Sequence, residues 1–144
     1  MNIEIINTTS VWYPLSLDLR DKVLRRPLGL KIADEDLTDE VTQVHFIATE
    51  NDAVVGTVTL IPHYETNVGK LRQMATIEHV RGKGYGKDLV SHLENFCIEN
   101  GMSKISLHAR HYAVGFYENL GYTICSEAFE EVNIKHFAMQ KSLI

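Results

Sequence analysis

The segment 79-HVRGKGYGKDLVSHLENFCIENG-101 constrains the fold more than any other stretch of the chain. Glycines at 82, 84 and 86 stand directly before a helical pattern. In it Leu89, Leu93, Phe96 and Cys97 recur at i, i+4, i+7 and i+8 and share one face. Gly101 follows as the C-terminal cap. Glycine loses more backbone freedom on folding than any other residue, so three of them at a helix start imply that something must come close to the main chain. A helix N-terminus offers orphan N–H donors and a partial positive charge, which suits a phosphate. Arg81, Lys83 and Lys87 add positive charge at the same place. The bland alternative is a tight strand-to-helix turn with no ligand.

The elements around this turn follow from local patterns. Residues 2–6 alternate weakly as a first strand. Pro14 suits a first helical turn, Leu15, Leu19 and Val23 follow at helical spacing, and Pro27 ends the run. Residues 28–40 have no clear period and read as an exposed loop or a short irregular helix. Then 43–50, the turn pair Asn51-Asp52 and 53–62 predict a hairpin, and after a loop at 63–69 a third strand runs over 70–78. Beyond the central helix come a strand at 103–109, a helix carrying Ala113, Phe116, Tyr117 and Leu120 with Gly121 as its cap, and closing strands at 122–128 and 135–143. The expectation is one α/β (α+β) domain over residues 1–144. Its sheet is mixed, mostly antiparallel, of about six to seven strands flanked by helices.

Composition narrows the function. The chain of 144 residues is 44% hydrophobic and 23% charged, ordinary for a globular domain with one core. No apolar run approaches the roughly 20 residues of a membrane span. The first residues lack a basic stretch followed by an apolar one, so no secretory leader is expected. Cys97 and Cys125 have no motif spacing and read as reduced core residues of a cytoplasmic protein. A net charge of -5 argues against a nucleic-acid binder. A local positive spot on a negative chain suits a small anionic ligand instead.

Two phosphate loops fail on spacing. The P-loop needs Ser or Thr after Gly-Lys, where this chain has Asp88, and the dinucleotide fingerprint needs G-x-G-x-x-G, where these glycines are spaced G-x-G-x-G. The pattern that matches is R-x-x-G-x-G, as 81-RGKGYG-86. It resembles the coenzyme A pyrophosphate loop of the GNAT superfamily of acyl-CoA N-acyltransferases. Downstream, 113-AVGFYENLGY-122 resembles that superfamily's A-x-x-F-Y-x-x-x-G-[FY] segment, and the order of elements fits over nearly the whole chain. The ending, with I-x-H-x-x-M at 134–139, looks most like the small ElaA-like branch.

The resemblance implies a GNAT-like domain that moves an acetyl group from acetyl-CoA to a primary amine, by direct transfer in a ternary complex and without a metal. It places the pyrophosphate on Gly82, Lys83, Gly84, Tyr85, Gly86 and Lys87, with Arg81 opening the motif. It places the pantetheine arm on the backbone of Met74, Ala75 and Thr76. Tyr117 matches the tyrosine that serves as general acid, protonating the thiolate that leaves. Plain core packing competes with that role, because Tyr117 shares a helical face with Phe116 and Leu120.

The general base is open. Relatives often carry a glutamate on the fourth strand, where this chain has Arg72 and Gln73. His108, His136 and Glu131 are the candidates. His108 and His111 are three apart, but a metal would need further ligands. Arg110, where many relatives have asparagine, has no assigned role. The acceptor, a small-molecule or peptide amine, would sit between residues 12–40 and the closing strands. There the acidic residues of 34–40 with Glu127, Glu130 and Glu131 could attract a cation, or simply be solvated. The rival readings are a non-catalytic acyl-CoA-binding module and a nucleotide-binding module on the same turn. No nucleic-acid or membrane partner is expected, and a homodimer is compatible with exposed strand edges.

Overall fold

A computed structural model describes residues 1–144. The chain opens with strand β1 (Asn2–Ile6) and helix α1 (Trp12–Arg20). That helix widens into a π turn over Asp21–Arg25 and ends in a 3-10 turn, Arg26–Leu28, at Pro27. Strands β2 (Val44–Glu50), β3 (Ala53–Glu65) and β4 (Val68–Thr76) follow as a meander. Helix α2 (Tyr85–Glu99), strand β5 (Lys104–Arg110) and helix α3 (Val114–Asn119) come next. Strands β6 (Thr123–Ile124), β7 (Phe129–Glu131) and β8 (Ile134–Ser142) close the chain.

All eight strands belong to one sheet, in the order β1-β2-β3-β4-β5-β8-β6, with β7 also paired to β8. Every pairing is antiparallel except that of β4 with β5. The mixed, mostly antiparallel α/β sheet is the expected one, with one strand more: the segment expected as a single strand over 122–128 is the two-residue β6, and β7 is separate. Val132 and Asn133 turn β7 back into β8 with φ of 46° and 62°, the primed geometry that suits a two-residue hairpin. Asn51 and Asp52 do the same between β2 and β3.

Two further expectations change. The loop expected at 63–69 is mostly strand, because Val68 and Gly69 pair in parallel with Lys104 and Ile105, a long-range contact invisible to local pattern. Residues 28–40 are irregular and mostly exposed, as expected, with 3-10 turns at Ile32–Asp34 and from Thr38 onward. Cys125 is exposed rather than in the core, since β6 stops one residue before it; Cys97 is buried, and both are free.

The two faces of the sheet are covered differently. Under α2 and α3 lies the large apolar core, with Phe46, Val58, Leu60, Leu89, Leu93, Ile105 and Met139 among its fully buried residues. Under α1 the apolar cluster is small, Ile6, Leu19, Ile47 and Val54. The rest of that face is a polar core. Leu15 of α1 is exposed and Ser16, Leu19 and Arg20 are buried instead. Arg20 makes two charge-assisted hydrogen bonds to Glu40, at 2.8 and 2.6 Å. The Tyr13 hydroxyl donates to the same carboxylate at 2.7 Å. His45 donates from Nε2 to the Glu40 carbonyl at 2.9 Å, and its Nδ1 lies 3.0 Å from the Thr59 hydroxyl. Nearly every buried polar group here has a partner, which is what makes burying them tolerable.

Candidate active site

The site begins with a parting of strands. The β4–β5 ladder runs only from Val68↔Lys104 to Leu71↔Leu107, although β4 continues to Thr76 and β5 to Arg110. The cause is local. Gln73 sits at φ 58°, and the β3–β4 register shifts between Thr57 and Thr59, a bulge that bends a strand and strengthens its twist. A cleft of about 1650 Å³ opens where the strands separate. Met74, Ala75 and Thr76 line it, with no β5 residue paired to them.

At the mouth of the cleft, residues 78–80 form a 3-10 turn and the glycine segment leads into α2. Gly82 and Gly84 have φ of 81° and 86°, and a Cβ at either would meet nothing within 4 Å. The left-handed backbone thus explains glycine here, and the space in front is left open. Gly86 differs. Its φ is ordinary, and a Cβ there would lie 3.2 Å from the Phe116 ring, so it lets α3 pack against the first turn of α2. The first α2-start hydrogen bond is from the Asp88 amide to the Gly84 carbonyl, and no side chain caps the helix. The amides of Gly82, Gly84, Tyr85, Gly86 and Lys87 make no backbone hydrogen bond. Arg81 reaches back to the Thr76 carbonyl at 3.2 Å. Arg81, Gly82, Gly84, Tyr85, Gly86 and Lys87 all line the cleft, and Lys83 does not. The Tyr85 hydroxyl donates to Glu50.

Tyr117 also lines the cleft, with its body buried. The other buried or half-buried tyrosines are tied to carboxylates: Tyr13 to Glu40, Tyr85 to Glu50 and Tyr122 to Glu94. Tyr117 lies edge-on to Phe116 and Tyr122, with ring centroids at 5.0 and 5.7 Å, and makes no hydrogen bond through its hydroxyl. Burial pushes the Tyr117 phenol well above its usual range, so it keeps its proton at neutral pH.

The three open base candidates come together on the cleft wall. His108 Nδ1 lies 2.6 Å from Glu131 Oε1, and His136 Nε2 lies 3.8 Å from Glu131 Oε2. All three line the cleft, and Glu127 and Glu130 do not. The acidic loop contributes nothing to this lining. Glu40 is buried against Arg20, and Glu35 holds Arg25 at 2.5 Å. The cleft is also lined by Lys22, Arg25 and Pro27, from the turns that follow α1, with Arg72 and Arg110. Arg110 donates to the Leu24 carbonyl at 2.9 Å and to the Tyr112 hydroxyl at 2.8 Å. Sequence reasoning missed the bulge at Gln73 and the anchoring of Arg110; both depend on cross-strand partners and leave no local signal.

A splayed β4–β5 pair, a free strand edge and a glycine-led helix N-terminus make one constellation, and it has relatives. Residues 26–143 match the family model described as an acetyltransferase (GNAT) domain. The chain belongs to the GNAT acetyltransferase family. It is 32% identical to the uncharacterized protein YyaT of Bacillus subtilis, over 99% of this chain and 97% of that one. Its fold is that of Escherichia coli ElaA, with a TM-score of 0.84 at 21% identity and coverage of 97% and 98%. An aminoglycoside 6'-N-acetyltransferase complexed with coenzyme A has the same fold, at a TM-score of 0.83, 20% identity and coverage of 100% and 98%. This GNAT chain therefore shares the expected family, and its likeness to ElaA is one of fold.

Proposed function

We propose that the chain is an acetyl-CoA-dependent N-acetyltransferase that acts by direct transfer on a primary amine of a small molecule or peptide. The observation that carries this is the set of five unpaired amides at residues 82 and 84–87, all on cleft-lining residues beside Arg81 and Lys87. Such donors suit a pyrophosphate. The free β4 edge at Met74, Ala75 and Thr76 suits the amides of a pantetheine arm, in the manner of an added strand.

Bound acetyl-CoA supplies an activated thioester. The chain's residues do the rest. Backbone N–H groups near residues 74–76 polarise the thioester carbonyl. The amine nitrogen forms a C–N bond to the carbonyl carbon as the C–S bond breaks, and Tyr117 gives its phenolic proton to the departing sulfur. The proton that nitrogen sheds replaces it. No nucleophilic Cys or Ser motif is present for a covalent route; Cys97 is buried, its thiol pushed up to about 12 by burial and secondarily by Glu94. Two free thiols suit a reducing cytoplasm.

The test is Tyr117→Phe, assayed for CoA release against a panel of primary amines and for acetyl-CoA binding by calorimetry. The expected result is a kcat lower by about 100-fold with the dissociation constant unchanged. Equal turnover by the variant removes the acid role. Binding without turnover in wild type favours a non-catalytic acyl-CoA sensor.

A further inference from the structure

We infer that His108 is the general base for the acceptor amine and that Glu131 is its positioning residue. This rests on the transferase reading above and adds the group that reading leaves open. A carboxylate only accepts hydrogen bonds, so the 2.6 Å contact between Glu131 and His108 Nδ1 places a proton on Nδ1. Nε2 of the neutral ring then carries the lone pair, on a side chain that lines the cleft. The ring is held from a second direction by Phe129, edge-on with centroids 4.9 Å apart.

His136 completes the arrangement. Its Nδ1 donates to the Ile134 carbonyl at 2.7 Å, and its Nε2 faces the other Glu131 oxygen at 3.8 Å. Phe129 stacks on this ring as well, at 6.0 Å. One carboxylate thus addresses two imidazoles, the cleft-facing His108 and the buried His136. Arg110, the nearest cation on β5, is bonded to Leu24 and Tyr112 and takes no part of Glu131. Arg72 and His108 each follow the last β4–β5 pair, Leu71↔Leu107, where the two strands part. The His108–Glu131 pair is open to solvent, and the shared carboxylate and the Phe129 ring packed on both imidazoles are what order it.

In the step this assigns, an acceptor ammonium N–H bond breaks and its proton passes to His108 Nε2. The freed nitrogen lone pair forms the bond to the thioester carbonyl, and the imidazolium returns its proton to water. Glu131 keeps Nδ1 protonated throughout and so holds Nε2 as the acceptor.

The experiment has two arms on the full chain. Long-range proton–nitrogen NMR of the 15N-labelled protein at pH 8 is expected to show His108 as the Nδ1–H tautomer, shifting toward Nε2–H in Glu131→Gln. CoA release from acetyl-CoA is then measured with glycine, benzylamine, spermidine and L-lysine, alongside calorimetry of acetyl-CoA. His108→Gln is expected to lower kcat about 100-fold, Glu131→Gln to lower it less with partial rescue by Glu131→Asp, and neither to alter acetyl-CoA affinity. An Nε2–H tautomer in wild type, or wild-type turnover in His108→Gln, overturns the base assignment and leaves the transferase reading standing. Absence of turnover by wild type with every amine, despite bound acetyl-CoA, overturns both.

Discussion

Gly82 and Gly84 share a positive φ with Gly29, Gly101 and Gly121, but of these five only they line the cleft. The cations around them are less alike than their spacing suggests. Lys87 and Arg81 line the cleft, whereas Lys83 points elsewhere and lies near Glu50. A charge-assisted contact is worth about 1.5–3 kcal/mol. Lys87→Ala is therefore expected to weaken acetyl-CoA binding by about tenfold or more, while Lys83→Ala changes it by less than about twofold. Calorimetry of the two variants checks this, and equal losses would show that the loop works by diffuse charge alone. The glycines and the R-x-x-G-x-G spacing were legible in the chain because a steric requirement leaves a residue-type signature. The difference between Lys83 and Lys87 was not, since side-chain direction on a turn follows from its dihedrals.

At the scale of elements, the helices were easiest to read. The α2 face of Leu89, Leu93 and Cys97 is buried as its spacing predicts. The face of α1 was misread, since Leu15 is exposed and Arg20 buried, and the reason is a partner 20 residues away. Burial pushes the Glu40 carboxyl up; the Arg20 guanidinium, by hydrogen bond and charge, together with Tyr13 and His45, outweighs it and holds the group below the usual carboxylate range. Its contribution is thus complete above the ordinary carboxylate pKa of about 4.3 and is lost only below it. His45 works in another window. Burial, the largest cause, holds its imidazole below its ordinary value despite the Glu40 carbonyl and charge. Below about pH 6.5 the unfolded chain binds a proton that the folded chain resists, so stability falls as pH falls there. Urea unfolding at pH 7.5 and 5.5 is expected to show wild type weaker at the lower pH, by at most about 1.4 kcal/mol per unit from this group. His45→Gln should flatten that slope; an unchanged slope would remove His45 as its source.

For the whole molecule, the decisive feature is where the sheet comes apart. Meander, crossover helix and the last strand were legible from alternation and turn residues, and so was the family through two motifs in the right order. The place of the parting followed from the resemblance, at Met74, Ala75 and Thr76, and not from local pattern, because the bulge at Gln73 is a property of three strands together. Nor could spacing show that His108, Glu131 and His136 meet, since β5, β7 and β8 are joined only through cross-strand register. The β1 edge, unpaired on one side, remains compatible with a homodimer. Everything in the functional account depends on the cleft taking acetyl-CoA at the glycine turn. The measurement that tests this most directly is calorimetric titration of acetyl-CoA into wild type and Gly84→Asp, with circular dichroism to establish that both are folded. Saturable binding by wild type, abolished in the folded variant, is the predicted result. Well-folded wild type that binds no acetyl-CoA, or a variant that binds it equally well, would contradict the account.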